Sequence, residues 1–246
     1  MAAHELWLVR HGESVANLAA TAAEAAGLDV VTVDLRDADV PLSEAGEQQA
    51  AALGEWLAAL PENERPTSAW ASSYLRARQT VQIALEPFGG SVPVVVDERL
   101  RDRELGVLDL LTSHGAEARF ADEMVRRRWL GKFYYRPPGG ESWADVALRV
   151  RSLLVDLERQ STAERVLVVA HDAVVMNFIY VCTGIGEAEL LEFARTHTVA
   201  NASVTRLSRA TDSGLWKLDA FSLADHLAAA GAPVTLHEGN PDVRPH

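Results

Sequence analysis

Two short stretches of this chain are apolar at every position. Leu6-Trp7-Leu8-Val9 and Val166-Leu167-Val168-Val169-Ala170 lack the polar–apolar alternation of a strand with one wet face. Such runs predict strands buried on both faces, as in a parallel sheet covered by helices. Between them the pattern changes to the helical period. Leu53, Trp56, Leu57 and Leu60 recur at i, i+3, i+4 and i+7, which predicts a helix from Ser43 to Leu60. Ser43 serves as its N-cap, with Glu44 and Glu47 at the positive end of the dipole. The clearest stripe is Trp143, Val146, Ala147, Val150, Leu153, Leu154 and Leu157, behind Ser142 and Asp145 at capping-box spacing. An Ala-rich helix is predicted from about Val15 to Ala26. A strand over Ser68–Ala71 leads into a helix through Ala77, Val81, Ala84 and Leu85, which Gly89-Gly90 ends. Further strands are expected over Val92–Val96, Ser203–Leu207 and Leu215–Ala220.

Strands alternating with helices predict one α/β domain, a three-layer arrangement with a mainly parallel central sheet flanked by helices. The stretch from Arg101 to Gly140 breaks the alternation. It is polar and Arg-rich, then aromatic and Gly/Pro-rich, and reads as an excursion over the strand ends. The tail from Gly231 to His246 is polar and Pro-bearing, and is expected to be loosely held outside a domain of residues 1–230. With 246 residues, 48% of them apolar, the chain can bury a substantial single core.

Charge narrows the partners. Thirty-five acidic and 23 basic residues give a net charge of −12, a field that repels nucleic acid and anionic lipid. An anionic substrate therefore has to be gripped by local arginines. Lys132 and Lys217 are the only lysines, and arginine is the side chain that holds phosphate in a bidentate fork. Cys182 is the sole cysteine, so no intramolecular disulfide forms. Met1 to Glu5 shows no secretory signal and no stretch is long and apolar enough for a membrane span. The expected location is the cytoplasm, and a homo-oligomer is compatible with the sequence.

The two buried strands each end in a histidine, His11 and His171. Parallel neighbouring strands would carry both imidazoles to one edge of the sheet, the edge where α/β proteins bind ligands. The surrounding residues resemble a known family. Leu8-Val9-Arg10-His11-Gly12-Glu13-Ser14 with Asn17 is similar to the signature of the phosphoglycerate mutase-like histidine phosphatases. Asp39-Val40-Pro41-Leu42-Ser43 with Gly46, Gln49 and Ala50, then Ser72-Ser73-Tyr74-Leu75-Arg76-Ala77-Arg78-Gln79-Thr80, follow in that family's order. So do Leu100 to Gly106, Pro138 to Ser142, and Val168-Val169-Ala170-His171. The resemblance covers about residues 5 to 207.

It implies a phosphohistidine on His11, with Arg10, Arg76 and His171 around the phosphoryl oxygens and an acid at Asp102. Gly12, Ser14 and Asn17 are expected to donate further hydrogen bonds to the small phosphorylated substrate. The chemistry is consistent with these residue types, since phosphoryl transfer is mostly positioning and electrostatic stabilisation. A neutral imidazole can split one displacement into two, and a carboxylic acid can protonate the leaving alkoxide. With arginines supplying the charge, no metal and no cofactor are expected. Two departures stand out. The family's donor is commonly glutamate, so Glu104 is the alternative to Asp102. Asp172 follows His171 where the family usually has glycine, and an acidic side chain beside phosphate must point away or pair with an arginine.

Substrate choice is expected to lie in the excursion. Arg126, Arg127, Arg128, Lys132 and Arg136 interleave with Trp129, Phe133, Tyr134 and Tyr135. They read either as a lid, with Tyr134, Tyr135 and Arg136 nearest the substrate, or as a solvated helix face and a packed turn. Arg103 is the better candidate for touching a second anionic group. The leading expectation is a metal-independent phosphatase of small phosphate monoesters. A cofactor-dependent phosphoglycerate mutase is the alternative, weakened because Ala19–Gly27 stands where mutases carry an aromatic Ser-Gly-Trp stretch. A non-catalytic phosphate-binding module is the third reading. Other phosphatase signatures fail: Ala188 breaks a Cys-x5-Arg loop after Cys182, Asp37-Ala38-Asp39 follows no buried strand, and His171-Asp172 is a lone dipeptide. One geometric condition carries the whole reading: His11, His171, Arg10 and Arg76 must converge on a single pocket.

Overall fold

A computed structural model describes residues 3–160, 164–210 and 214–237. In chain order the elements are β1 (Glu5–Arg10), α1 (Val15–Ala25), α2 (Glu44–Ala59), β2 (Ser68–Ser72), α3 (Leu75–Leu85) and β3 (Val94–Asp97). There follow α4 (Ser113–Arg119), α5 (Ala121–Leu130), α6 (Trp143–Gln160), β4 (Arg165–Ala170), α7 (Asp172–Thr183), α8 (Glu187–Thr196), β5 (Val204–Ser208), β6 (Lys217–Leu223) and α9 (Asp225–Ala229). The six strands form one sheet in the order β3-β2-β4-β1-β5-β6. β1 to β4 run parallel, while β5 and β6 are antiparallel additions at one side.

Register brings the site together. Arg10 pairs with Ala170 across β1 and β4, so His11 and His171 leave the sheet side by side at the same edge. Ala71 of β2 pairs with Val169, which sets Ser72 and the start of α3 at that edge too. Successive strand residues face opposite sides. Leu6, Leu8, Val166 and Val168 pack on one face with Val146, Val150, Leu153 and Leu157 of α6 and Val174 and Phe178 of α7. Trp7, Val9, Leu167 and Val169 pack on the other with Leu53 and Leu57 of α2 and Ala77, Val81 and Ala84 of α3. This is the expected three-layer α/β architecture. Each of those leucines and valines contributes about 1.5–3 kcal/mol through burial.

The capping signals act as read. Ser43 accepts a hydrogen bond from the Gly46 N–H at the start of α2. Ser142 Oγ accepts from the Asp145 N–H, and Asp145 Oδ2 accepts from the Ser142 N–H at the start of α6. The strand expected over Val92–Val96 begins later, at Val94. It is a sheet-edge strand whose three valines stay largely exposed.

The excursion is a small helical unit with its own cluster of Leu108, Ala116, Met124 and Tyr135. It is anchored on the loop after α1, where Val31 N–H donates to Leu110 O and Thr112 N–H to Asp29 O.

The expectation of a loose tail from Gly231 is corrected as far as His237. Gln49 Nε2 donates to Pro233 O and to Thr235 Oγ1, and Asn201 N–H donates to Thr235 O. His237 Nε2 lies 2.8 Å from Glu13 Oε2. Buried polar groups that find partners are held, and this strap supplies partners for the loop after β1. Residues 238–246 lie outside the described residues.

Candidate active site

His11 sits where β1 turns into α1, and two hydrogen bonds assign its tautomer. Nδ1 lies 2.7 Å from the Gly12 carbonyl oxygen, which can only accept, so Nδ1 carries the proton. Arg76 Nε, which can only donate, lies 3.2 Å from His11 Nε2, so Nε2 holds the lone pair. Burial, then Arg76, His171 when protonated, and Arg10, hold the imidazole well below its usual range. A neutral imidazole with Nε2 as nucleophile is the state this creates.

His171 stands beside it, with ring centroids 5.0 Å apart. Its Nε2 is 2.9 Å from Ser72 Oγ, and its Nδ1 is 3.3 Å from Asp102 Oδ2, within ion-pair distance. Burial pulls the His171 pKa down to about 4 against the attraction of Asp102. At neutral pH His171 is therefore an uncharged neighbour of the site. Burial raises the Asp102 pKa, but His171 and Arg76 outweigh it and hold this carboxyl well below the usual carboxylate range.

Arg76, from the first turn of α3, is the centre of the cluster. Its Nη1 donates to Asp37 O at 2.6 Å and Asp37 Oδ1 at 2.8 Å. Its Nη2 donates to Asp37 Oδ2 at 3.3 Å and Asp102 Oδ2 at 3.2 Å. Arg10 donates through Nη1 to Val199 O and through Nη2 to His237 O, while its buried Nε has no partner among the described residues. An orphaned guanidinium N–H inside a site is a donor awaiting an acceptor. The loop itself is tightly seated: Gly12 N–H donates to Thr80 Oγ1, Glu13 N–H to Gln49 Oε1, and Asn201 Nδ2 to His11 O. A Cβ on Gly12 would lie 2.5 Å from Gly46 O, so both glycines are needed where the loop meets α2.

Two imidazoles, the Arg76 guanidinium and a carboxylate thus meet at the end of a parallel sheet, with Arg10 in electrostatic reach of them. The sequence pattern of the histidine phosphatase superfamily (branch 1) matches residues 6–222. This chain belongs to that superfamily. Among its relatives, a 2,3-bisphosphoglycerate-dependent phosphoglycerate mutase of Methylobacterium radiotolerans is 34% identical over 188 residues, covering 75% of this chain and 82% of the relative. Among solved structures, a mycobacterial glucosyl-3-phosphoglycerate phosphatase complexed with VO3 superposes with a TM-score of 0.71 at 28% identity. The match covers 90% of this chain and 100% of that one. A protein described as mycobacterial hydrolase 1 gives a TM-score of 0.72 at 27% identity, covering 90% and 99%.

Against this superfamily frame, the expected site residues divide. His11, Arg10, Arg76, His171, Asp102 and the Gly12 turn come together. Glu104 accepts from Tyr74 Oη at 2.9 Å, and Tyr74 packs edge-on against His171, so Glu104 is one side chain further out than Asp102. Asp172 opens α7 with Oδ1 buried and unpartnered; burial raises its pKa, and Arg10 is the main charge opposing that rise. Arg10 is thus in electrostatic reach of Asp172, with no ion pair between them among the described residues. Arg103 Nε donates to Glu141 O, 38 residues away.

Five of the expected residues make other contacts in this structure. Ser14 and Asn17 bond each other, Asn17 N–H to Ser14 Oγ and Ser14 N–H to Asn17 Oδ1, as the capping box of α1. Their short polar side chains satisfy the orphan amides of the helix start. Tyr135 is buried in the excursion's own cluster with its hydroxyl on Glu123. Arg136 is exposed and tied to Asp145 (Nε to Oδ2 2.7 Å). Tyr134 is exposed, packs on Phe133 and hydrogen-bonds Glu187. The aromatic and basic turn therefore packs as a turn, as the second of its two readings had it.

Sequence reasoning missed Asp37, Ser72, Thr80, Gln49, Asn201 and His237 as parts of the site. Ser72, Thr80 and Gln49 lie inside quoted motifs without an assigned role. Asp37 sits on an isolated 3-10 turn in an unpatterned loop, where no periodicity could have marked it.

Proposed function

We propose that this chain hydrolyses small phosphate monoesters through a phosphohistidine on His11 Nε2. The observation that carries the reading is the pair of hydrogen bonds that leaves the Nε2 lone pair beside Arg76, with Asp102 close by. Nε2 attacks phosphorus, the P–O ester bond breaks, and the departing alkoxide takes a proton from the Asp102 carboxyl. Water then attacks the phosphorus, Asp102 takes the water's proton, the P–N bond breaks and inorganic phosphate leaves.

Asp102 must be protonated for the first step. A phosphate dianion drawn to Arg76 would offset the cations that now depress this carboxyl, and burial would then raise its pKa. Arg10, through its unpartnered Nε, and Arg76 supply positive charge to the three phosphoryl oxygens. Hydrolysis is expected to persist in the presence of a chelator.

The names of the sequence relatives favour a second reading, a phosphoglycerate mutase. A mutase needs cations for a second anionic group. The arginines near Asp102 that could serve are engaged: Arg101 Nη2 and Arg149 Nε each pair with Glu141 Oε1, and Arg103 Nε with the Glu141 carbonyl. That favours hydrolysis. Incubation with a phosphate ester should yield an acid-labile, alkali-stable phosphoenzyme that is lost in His11→Ala, together with free phosphate. Conversion of 3-phosphoglycerate to its 2-isomer without phosphate release would instead establish the mutase.

A further inference from the structure

Arg76 has five N–H groups, and all five are directed at protein acceptors: His11 Nε2, Asp37 O, Asp37 Oδ1, Asp37 Oδ2 and Asp102 Oδ2. Three of those five contacts go to Asp37. Arg76 cannot grip a phosphoryl group without releasing some of them. The exposures say where the exchange happens. His11 is 3% exposed and His171 0%. The Arg76 side chain is 4% exposed, whereas those of Asp37 and Asp102 are 41% and 32% exposed. Arg76 is thus buried against two carboxylates that are themselves partly open to solvent.

The surroundings extend the same charge. Asp109 and the Tyr74-bound Glu104 are exposed on the neighbouring excursion, in electrostatic reach of each other, and Asp109 is in reach of Asp37 and Asp102 as well. The Glu141 carboxylate gathers Arg101 and Arg149 on the same side. A phosphate dianion can outbid one carboxylate for a guanidinium, because it brings more charge and a second pair of oxygens. A carboxylate elsewhere on the same substrate meets Asp37, Glu104 and Asp109 as like charges, while Arg101 and Arg149 are already paired with Glu141.

Resting on the phosphatase reading, we infer that Asp37 is a specificity-determining residue that selects phosphate esters of neutral or cationic alcohols and rejects those carrying a second anion. The phosphoryl group exchanges with Asp37 on Arg76. The displaced carboxylate stays at the mouth, where it faces the leaving group. Amine-bearing alcohols are the best matched, plain polyols follow, and hydroxy acids are worst.

Three esters of similar size test this: phosphoethanolamine, glycerol 1-phosphate and 3-phosphoglycerate. The last two differ chiefly in a CH2OH replaced by a carboxylate. In the native chain kcat/KM for glycerol 1-phosphate should exceed that for 3-phosphoglycerate by about tenfold or more, with phosphoethanolamine at least equal to glycerol 1-phosphate. Asp37→Asn keeps the shape of the side chain and should shrink that gap to about twofold. A gap unchanged by D37N, or a native preference for 3-phosphoglycerate, overturns the inference. Calorimetric affinities for the same three esters in His11→Ala, with and without D37N, read the same ratio where turnover is absent. Loss of turnover on all three esters would sink the phosphatase reading, while the binding ratio still decides the role of Asp37.

Discussion

The strand-borne and loop-borne halves of the site are held by different physics. His11, His171 and Ser72 leave β1, β4 and β2 at one edge, and their relative positions follow from sheet register and two apolar layers. A one-residue slip would turn every buried side chain of a strand to the other face, so this half has no soft way to move. Asp37, Asp102, Glu104 and His237 sit on turns, the excursion and the strap, held by hydrogen bonds and ion pairs in partly exposed settings. Such contacts are individually worth little and are exchangeable. The comparison teaches a division of labour: the rigid half presents the nucleophile, and the exchangeable half governs what reaches it.

The experiments that strain this comparison hardest concern the chemistry. His11→Ala should lower kcat by about a thousandfold or more and abolish the phosphoenzyme, with little change in melting temperature. Asp102→Asn should cost about a hundredfold or more in kcat on alkyl phosphates. On p-nitrophenyl phosphate, whose leaving group needs no proton, the loss should be much smaller. Glu104→Gln should stay within a few-fold on both; the reverse pattern would move the acid to Glu104.

Scaffold changes should act on stability instead. Leu153→Ala removes a fully buried side chain of α6 and should destabilise by about 2–5 kcal/mol in denaturant titration, with KM unchanged. His237→Ala removes the Glu13 and Thr21 partners of the strap. It should cost only about 1 kcal/mol and a few-fold in KM. A larger catalytic than structural loss there would show that the strap belongs to the rigid half.

The smallest effect is the pH response. His171 titrates near 4 in the fold and near 6.5 when unfolded, and His11 shifts in the same direction. Below pH 6.5 the unfolded chain binds protons that the folded chain refuses, so stability is full above that point and falls as the pH drops from 6.5 toward 4. His171→Asn should make that decline shallower in urea titrations across the window. For the same reason kcat/KM, corrected for ionisation of the ester, should show no acid limb centred at 6.5.

Much of the strand-borne half was legible beforehand. The uninterrupted apolar runs at Leu6–Val9 and Val166–Ala170 marked buried strands, and the histidine ending each run marked the shared edge. Arg76 and Asp102 came from the motif resemblance. The capping residues Ser43 and Ser142 behaved as their spacing required. The capping role of Ser14 and Asn17 was readable too, since their spacing is that of a capping box. The contacts of Tyr135 and Arg136 were not legible, because composition cannot tell a side chain that packs or pairs within the protein from one that binds a ligand.

By itself, then, the chain's pattern determined the layered sheet, its two histidine-bearing strand ends and the family. These depend on local periodicity and burial, which are written residue by residue. Only the tertiary structure decided which histidine nitrogen is free, what occupies Arg76, and that residues 233–237 return to the site. Those features come from contacts between groups tens to hundreds of residues apart, such as Asp37 with Arg76 and His237 with Glu13. They follow from charge and geometry in three dimensions, and no period along the chain encodes them.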